Sequence, residues 1–472
     1  MDKFQIDLTQ GKVAKNLIRF SLPFLAANFL QAMYNLSDML IVGRFNGAVG
    51  ASAIGVGGQM TFLVLNIISG LAVGGTVIIA QFLGSKQESK LKQTLGTIFT
   101  LYAMAAAAFT AIMLIFNPLL VRSLTSGSPM VYDDTLKYVN ICTAGNIFIF
   151  GYNAVSAILR GMGDSKHPLV FVGIAAVLNI ALDLLFVWSF GMGAAGAALA
   201  TIISQAFSFV ISIIFLKKKN FIFDFKLKSF KIDKTISKEI LKIGLPASLQ
   251  GALVTASFMI LTVVADRIAG IAGVTAISVV GKVNSVAILP ALAMQMSVSS
   301  IAGQNLGANK PDRALKTMLS AVVITLSLSV VMYAIASIFA EPIVKIFIGN
   351  ESQTLTPEET AECLRQSAVY LKHMSLDYLV VSVIFNISGL AMAAGHTRFS
   401  LMCGVVSSIA FRIPASVLLG ITLGLGMSGL GYAAPIASAC ASVIGIIYVL
   451  TGAWKKSKVN INAGNAAAEP II

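Results

Sequence analysis

With 472 residues, 57% of them hydrophobic and only 11% charged, and a mean hydropathy of +0.85, the chain is far from a soluble domain, in which roughly a quarter of residues are charged. This is the composition of a polytopic membrane protein. The net charge of +14 raises the question of a nucleic-acid partner, which the placement of the charges then excludes.

The opening segment MDKFQIDLTQGKVAKNLIRF carries acids and polar residues before its first apolar run, and no small-residue cleavage site follows a short hydrophobic core, which argues against a signal peptide. Apolar stretches of about 20 residues, the length that crosses a bilayer, begin near positions 17, 53, 93, 136, 168, 193, 243, 273, 316, 367, 399 and 428. Twelve crossings put both termini on one side. Alternate loops gather Lys3, Lys12, Lys15, Arg19, Lys86, Lys90, Lys92, Arg160, Lys166, Lys310, Arg313, Lys316, Arg398, Lys455, Lys456 and Lys458 on that side. Nine lysines between Lys217 and Lys242 join them, so 25 of the 34 basic residues share one face. By the positive-inside rule that face is cytoplasmic. The basic excess therefore reports topology in a cell membrane rather than affinity for nucleic acid.

The chain repeats itself. Leu22-Pro23 recurs as Leu245-Pro246, Arg44 as Arg267, Gly50 as Gly273, Gln81 as Gln304 and Leu83-Gly84 as Leu306-Gly307, all at an offset of 223. The match then loosens, with Asn153 against Asn386, Gly163 against Gly395, and GMGAAGAA (191–198) against GMSGLGYA (426–433). The expected fold is all-α, with twelve transmembrane helices in two parallel six-helix lobes related by a pseudo-two-fold axis along the membrane normal. Residues 1–216 form the amino-terminal lobe, 217–242 a basic cytoplasmic linker and 243–472 the carboxyl-terminal lobe. Two such lobes suit a transporter that binds near the midplane and exposes its site alternately to each side. The linker, basic and interrupted by aromatics, reads equally as an amphipathic segment on the inner leaflet or as a solvated loop. Most of the 40 glycines read as close-packing residues. Pro23 and Pro246 read either as bend points or as first-turn prolines. Of the cysteines, Cys142, Cys363, Cys403 and Cys440, none has metal-type spacing, and three fall inside predicted spans as small packing residues.

Charged groups within the spans are few and costly, at about 2.5–3.5 kcal/mol each on insertion scales. Asp38 lies in QAMYNLSDMLIVG and Asp183 in LNIALDLLFVW, with Asn179 one turn before Asp183 on the same helix face. About 15 residues separate Pro23 from Asp38 and Pro168 from Asp183, roughly 22 Å of rise in each case. Thr201, about 12 Å down the returning sixth span, falls at the same depth. Two carboxylates, a carboxamide and a hydroxyl at one level compose a small-cation site, and the donors suit Na⁺ or a shared proton equally. The plainer reading, that each acid is an interhelical hydrogen-bonding residue, weakens when two lie at one depth. Lys282 and Arg412 are further intramembrane charges, read as pairing internally or lining a cavity. Asp266 and Asp377 fall near predicted span ends, where solvation or snorkelling accounts for them.

Taken together, the LP opening of each half, Asp38 followed by Gly-Arg in DMLIVGRF, the Q-x-x-G ending of spans two and eight, and LRGMGD after span four resemble the multidrug and toxic compound extrusion family, MATE, over roughly residues 15–455. The resemblance implies an antiporter that expels organic, often cationic, compounds in exchange for inward Na⁺ or H⁺. In DinF-like members the amino-lobe ion site is formed by residues matching Asp38, Asn179, Asp183 and Thr201. NorM-type members use a carboxyl-lobe set, with a Glu in span seven and an Asp in span ten. Span seven here has no acid before Asp266, and Asp377 does not fall at the span-ten position, so the amino-lobe pattern is favoured.

The nearest alternative is a flippase for a lipid-linked precursor, against which the twelve spans and the paired acids argue. An integral-membrane enzyme is the other class. His167, His373 and His396 sit near loops, none forms a metal-type pair with a neighbouring acid, and loop histidines are ordinarily solvated. The working expectation is a transporter without cofactor, functional as a monomer, with small organic substrates and lipid as its partners. Ion occupancy at Asp38 and Asp183 would alter the packing of span one and switch the lobes between outward-open and inward-open states. The substrate cavity is expected to be broad and apolar, lined by Met, Phe and Tyr.

Overall fold

The computed structural model describes residues 4–125, 129–219, 221–348, 356–457 and 459. Lys3 and Lys458, counted above on the basic face, lie outside them. The helices are α1 Val13–Gly84, α2 Glu88–Leu124, α3 Pro129–Ala144, α4 Asn146–Gly161, α5 Lys166–Asp183 and α6 Gly193–Lys218. They are followed by α7 Lys234–Ala287, α8 Leu289–Gly307, α9 Pro311–Ile338, α10 Ala340–Ile348, α11 Pro357–Met374, α12 Asp377–Ala393, α13 Thr397–Val405, α14 Ile413–Val417 and α15 Gly426–Thr451. Because lipid offers no hydrogen bonds, each crossing satisfies its backbone within its own helix.

A straight helix of the 72 residues of α1 would reach about 108 Å, more than three bilayer cores. Instead α1 turns back at Gly47 (φ 68°, ψ −164°). A Cβ on Gly43 would lie 3.6 Å from the Cβ of Ala51, although eight residues along a straight helix cover about 12 Å. The equivalent reversal in α7 is at Gly270 (φ 55°, ψ −137°), where a Cβ on Gly273 would collide with the carbonyl oxygen of Ala265. Gly47 and Gly270 are themselves 223 residues apart, so the offset read from sequence is also the offset of the fold. Among the described residues, eight helices are long and apolar enough to cross a membrane, and two bent pairs, α3 with α4 (49°) and α11 with α12 (44°), each supply another crossing. The first limb of α1 and the division of α7 into two limbs, the second continued by α8, complete the expected twelve. In the last two spans of each lobe the register is 233, because the left-handed Gly191 and Gly193 correspond to Gly424 and Gly426. The sequence alignment of 191 with 426 was therefore two residues out.

Pro23 and Pro246 lie well inside α1 and α7, which begin at Val13 and Lys234. The first-turn reading fails for both, because the amphipathic lead-in before each apolar run is already helical. The lobes meet through glycine. A Cβ on Gly84 would strike the carbonyl oxygen of Gln304, and one on Gly307 that of Gln81, while Gly70 and Gly74 face Gly244 and Ile240 of α7. Large apolar side chains such as Ile115, Val177, Val323 and Leu450 point outward, exposed, as lipid-facing residues must be.

Part of the connection between the lobes packs on the protein itself, while Leu227 stays exposed. Phe221 and Phe223 are buried, Phe99 of α2 stacks on Phe223 at 5.8 Å and meets Phe225 and Phe230 edge-on or tilted, and a Cβ on Gly96 would collide with the carbonyl oxygen of Ser229. The interleaved aromatics are an aromatic plug on the end of α2, and Asp233 ends the plug by capping α7 through the N–H groups of Thr235 and Ile236 at 2.8 and 2.9 Å.

Nothing lies within 4 Å of where a Cβ would sit on Gly47 or Gly270, so alanine there meets no atom and tests backbone conformation alone. Gly47→Ala and Gly270→Ala should each lose about 1–3 kcal/mol, read as a lower Tm of the detergent-purified protein. Unchanged melting of both would disprove the strained reversal.

Candidate functional site

Asp38 comes from the first limb of α1, Asn179 and Asp183 from one face of α5, and Thr201 from α6. The structure brings all four together. Thr201 Oγ1 donates to Asp38 Oδ2 at 3.3 Å, and Asn179 Nδ2 donates to Thr201 Oγ1 at 3.5 Å. The carboxyls of Asp38 and Asp183 are close enough to act on each other. Asp183 is 0% exposed, and both its oxygens, with Asp38 Oδ1 and Asn179 Oδ1, have no donor among the described residues. Immediately after Asp183 the helix widens into a π-helical turn over Leu184–Ser189, a distortion frequent at functional sites.

Two adjacent carboxylates cut off from water repel each other strongly, and a bound cation or a shared proton is what relieves this. The remaining donors are oxygens, the preference of a hard cation. Sequence reading missed two neighbours. Gln205 Nε2 donates to the hydroxyl of buried Tyr34 at 3.4 Å. Tyr34 precedes Asp38 by four residues and Gln205 follows Thr201 by four, so helical spacing alone would have placed both one turn below the site.

The carboxyl-terminal lobe carries a different polar cluster on the same scaffold. By the structural offsets, Arg412 stands where Asn179 stands, Ser257 where Tyr34 stands and Ser438 where Gln205 stands. Arg412 Nη1 donates to Ser257 Oγ at 3.2 Å and its guanidinium lies 4.9 Å from the ring centre of Phe258. Its charge acts on Asp377, which also has Ser438 beside it. Asp377 is 5% and Arg412 6% exposed, which overturns the reading of Asp377 as a solvated span-end residue. The cause is the 44° break between α11 and α12, which puts Asp377 inside the bent tenth crossing and corrects the expectation that it misses that span. Arg412 is buried on Ser257 and Phe258, and Lys282 and Asp266 lie at exposed positions.

The histidines also depart from expectation. His167 Nδ1 bonds Asp164 Oδ2, and the other oxygen of Asp164 accepts the N–H groups of Lys166 and His167 at 3.0 and 3.2 Å, capping the start of α5. His396 is buried, between the hydroxyl of Tyr448 at 2.9 Å and the carbonyl of Lys456 at 3.1 Å. His373 is half-buried and bonds the carbonyl of Val369 at 2.7 Å. All four cysteines are free, and among the described residues no three His, Cys, Asp or Glu side chains gather as a metal site.

A family model described as MatE matches residues 23–185 and 246–418, one match in each lobe. The chain is 30% identical over 464 residues to a Bacillus subtilis relative named "Probable multidrug resistance protein YpnP", covering 96% of this chain and 98% of that one. It is 22% identical over 463 residues to the "Probable multidrug resistance protein NorM" of Thermotoga maritima, covering 95% and 94%. Among solved structures, a MATE family transporter of the MOP superfamily in an outward-facing conformation superposes with a TM-score of 0.88 at 22% identity, over 97% of this chain and 100% of that one. A MOP superfamily transporter from Pyrococcus furiosus, reported for the reversed polarity of its binding pocket, gives 0.89 at 22% identity and the same coverage.

Removing Arg412 leaves Asp377 buried with no opposite charge. Arg412→Met should cost about 3 kcal/mol of stability, and adding Asp377→Asn to that variant should restore most of it, measured as Tm in detergent. Equal losses in the single and double variants would show that the two groups are uncoupled.

Proposed function

The chain belongs to the MatE family, and from this premise we propose that it exports organic, cationic or amphipathic compounds in exchange for inward movement of Na⁺ or H⁺. It is an integral membrane transporter and not an enzyme. The reading places the basic face in the cytoplasm, following the positive-inside rule, and works by alternating access of the two lobes. The observation that carries it is the convergence of Asp38 and Asp183, buried and adjacent, with Asn179 and Thr201 completing the donor set.

The proposed coupling follows from electrostatics. With a cation or proton between the carboxyls, the first limb of α1 packs against α5 and α6. When it leaves, like charges in a poorly hydrated site push that limb away, and the limb also borders the space between the lobes. Ion and substrate therefore favour different arrangements of one movable element, which is what coupling requires. The carboxyl-terminal lobe supplies its own counter-charge in Arg412, so the coupling ion is assigned to the amino-terminal lobe, in the DinF-like manner. Substrate binding is assigned to the apolar space between lobes. A flippase reading is not favoured, since the curated relatives are named as multidrug resistance proteins.

Reconstitution into proteoliposomes tests this directly. Efflux of a fluorescent organic cation such as ethidium should be driven by an imposed Na⁺ gradient or by an imposed pH gradient, and the two applied separately name the ion. Asp38→Asn and Asp183→Asn should each reduce gradient-driven efflux about tenfold or more, as loss of a typical 1–3 kcal/mol coupling free energy predicts. Normal efflux by both variants, with equal protein incorporated, would remove the acids from the mechanism.

A further inference from the structure

Two glutamines at the basic end are braced in a way that transport must undo. Gln81 near the end of α1 and Gln304 near the end of α8 are equivalent by the 223-residue offset, and they are 0% and 1% exposed. Each side-chain amide crosses to the opposite lobe. Gln81 Nε2 donates to the carbonyl of Ala393, the last residue of α12, at 2.5 Å, and Gln304 Nε2 donates to the carbonyl of Gly161, the last residue of α4, at 3.4 Å.

Their carbonyl oxygens are bound by the two ends of the chain. Leu8 N–H donates to Gln304 Oε1 at 3.0 Å, and Ser457 Oγ donates to Gln81 Oε1 at 2.9 Å. The amino-terminal segment bridges the lobes. Ile6 N–H donates to the carbonyl of Met162 at 3.0 Å, and Arg313 Nη2 donates to the carbonyls of Gln10 and Gly11 at 2.7 Å each. Gly163, at φ +89°, admits this segment, since a Cβ there would lie 2.7 Å from the carbonyl oxygen of Ile6. The apolar anchors cross as well. Leu8 belongs to an apolar cluster with Met294, Val298 and Ile301 of the carboxyl-terminal lobe, whereas Val459 of the tail joins a cluster built mostly from the amino-terminal lobe.

We infer that Gln81 and Gln304 are the residues that position the two lobes in the closed-cytoplasmic state, and that the two terminal segments are their latches, which must release before the transporter opens inward. This rests on the transporter reading above, which requires that face to open. Each buried amide is satisfied only while both the opposite lobe and its own terminal segment are in place, and a buried amide stripped of its partner is unfavourable until water reaches it. Release of one segment therefore weakens the joint held by the other lobe, and the two events are coupled by geometry.

The test reads conformation directly. Spin labels at Lys166→Cys and Arg398→Cys, exposed positions in opposite lobes, report the separation at the basic end by pulsed electron paramagnetic resonance, in a Cys440→Ala background. Gln81→Met and Gln304→Met should each raise the open-to-closed ratio about fivefold, the equivalent of one lost hydrogen bond, with the double variant raising it further. Ser457→Ala and Arg313→Met, which loosen a latch and leave the glutamines intact, should shift it in the same direction, and they keep the test decisive if a core variant fails to fold. Unshifted distances in the glutamine variants would overturn the gate, and shifts in those but in neither latch variant would overturn the role of the termini. Because the readout needs no substrate or gradient, it stands apart from the efflux test, and loss of the antiport reading would leave it measurable.

Discussion

An amide or carboxyl surrounded by hydrocarbon has no solvent to turn to, at a cost of several kcal/mol. Each departure from regular helix here can be traced to that constraint. The chain reverses at Gly47 and Gly270, in backbone conformations that a residue without a side chain adopts most readily. Polar side chains withdraw from lipid into the two lobes, and the lobes approach closely only where glycine lets one backbone rest on another.

The duplicated scaffold makes the difference between the lobes informative. The positions held by Asp38, Asn179, Asp183 and Thr201 in one lobe correspond to Leu261, Arg412, Ser416 and Ala434 in the other. Asp38 and Asp183 thus lie buried together with oxygens left without a donor among the described residues, while in the other lobe Asp377 lies within the field of a guanidinium. The second cluster holds opposite charges and the first holds like charges, and this difference is the physical basis on which ion coupling is proposed for a single lobe.

Much of this was legible beforehand, for reasons that differ by residue. Crossings show in apolar run length, and duplication shows in a constant offset because reversals and interhelix joints tolerate few residue types. Asp38, Asn179, Asp183 and Thr201 could be grouped because helical rise converts sequence distance into depth. Asp377 could not be placed, since nothing in its neighbourhood announces the break at the end of α11. The aromatic plug was not legible because alternating Phe and Lys fit a leaflet surface, a solvated loop and a groove beside α2 alike. His396 looked like a loop residue, and its partners Tyr448 and Lys456 lie more than fifty positions away. The hydrogen bond from Leu8 to Gln304 spans 296 positions, beyond any periodicity argument.

The crossing of the chain ends has a consequence for biosynthesis. Ser457 follows the last membrane helix, yet its hydroxyl binds Gln81 of the lobe that is made first. A nascent chain inserted helix by helix therefore holds its crossings in the bilayer before this joint on the basic face can form. A product broken off just after α15 would keep its helices and its buried acids, and would still be missing one of the two fastenings that keep the pathway shut.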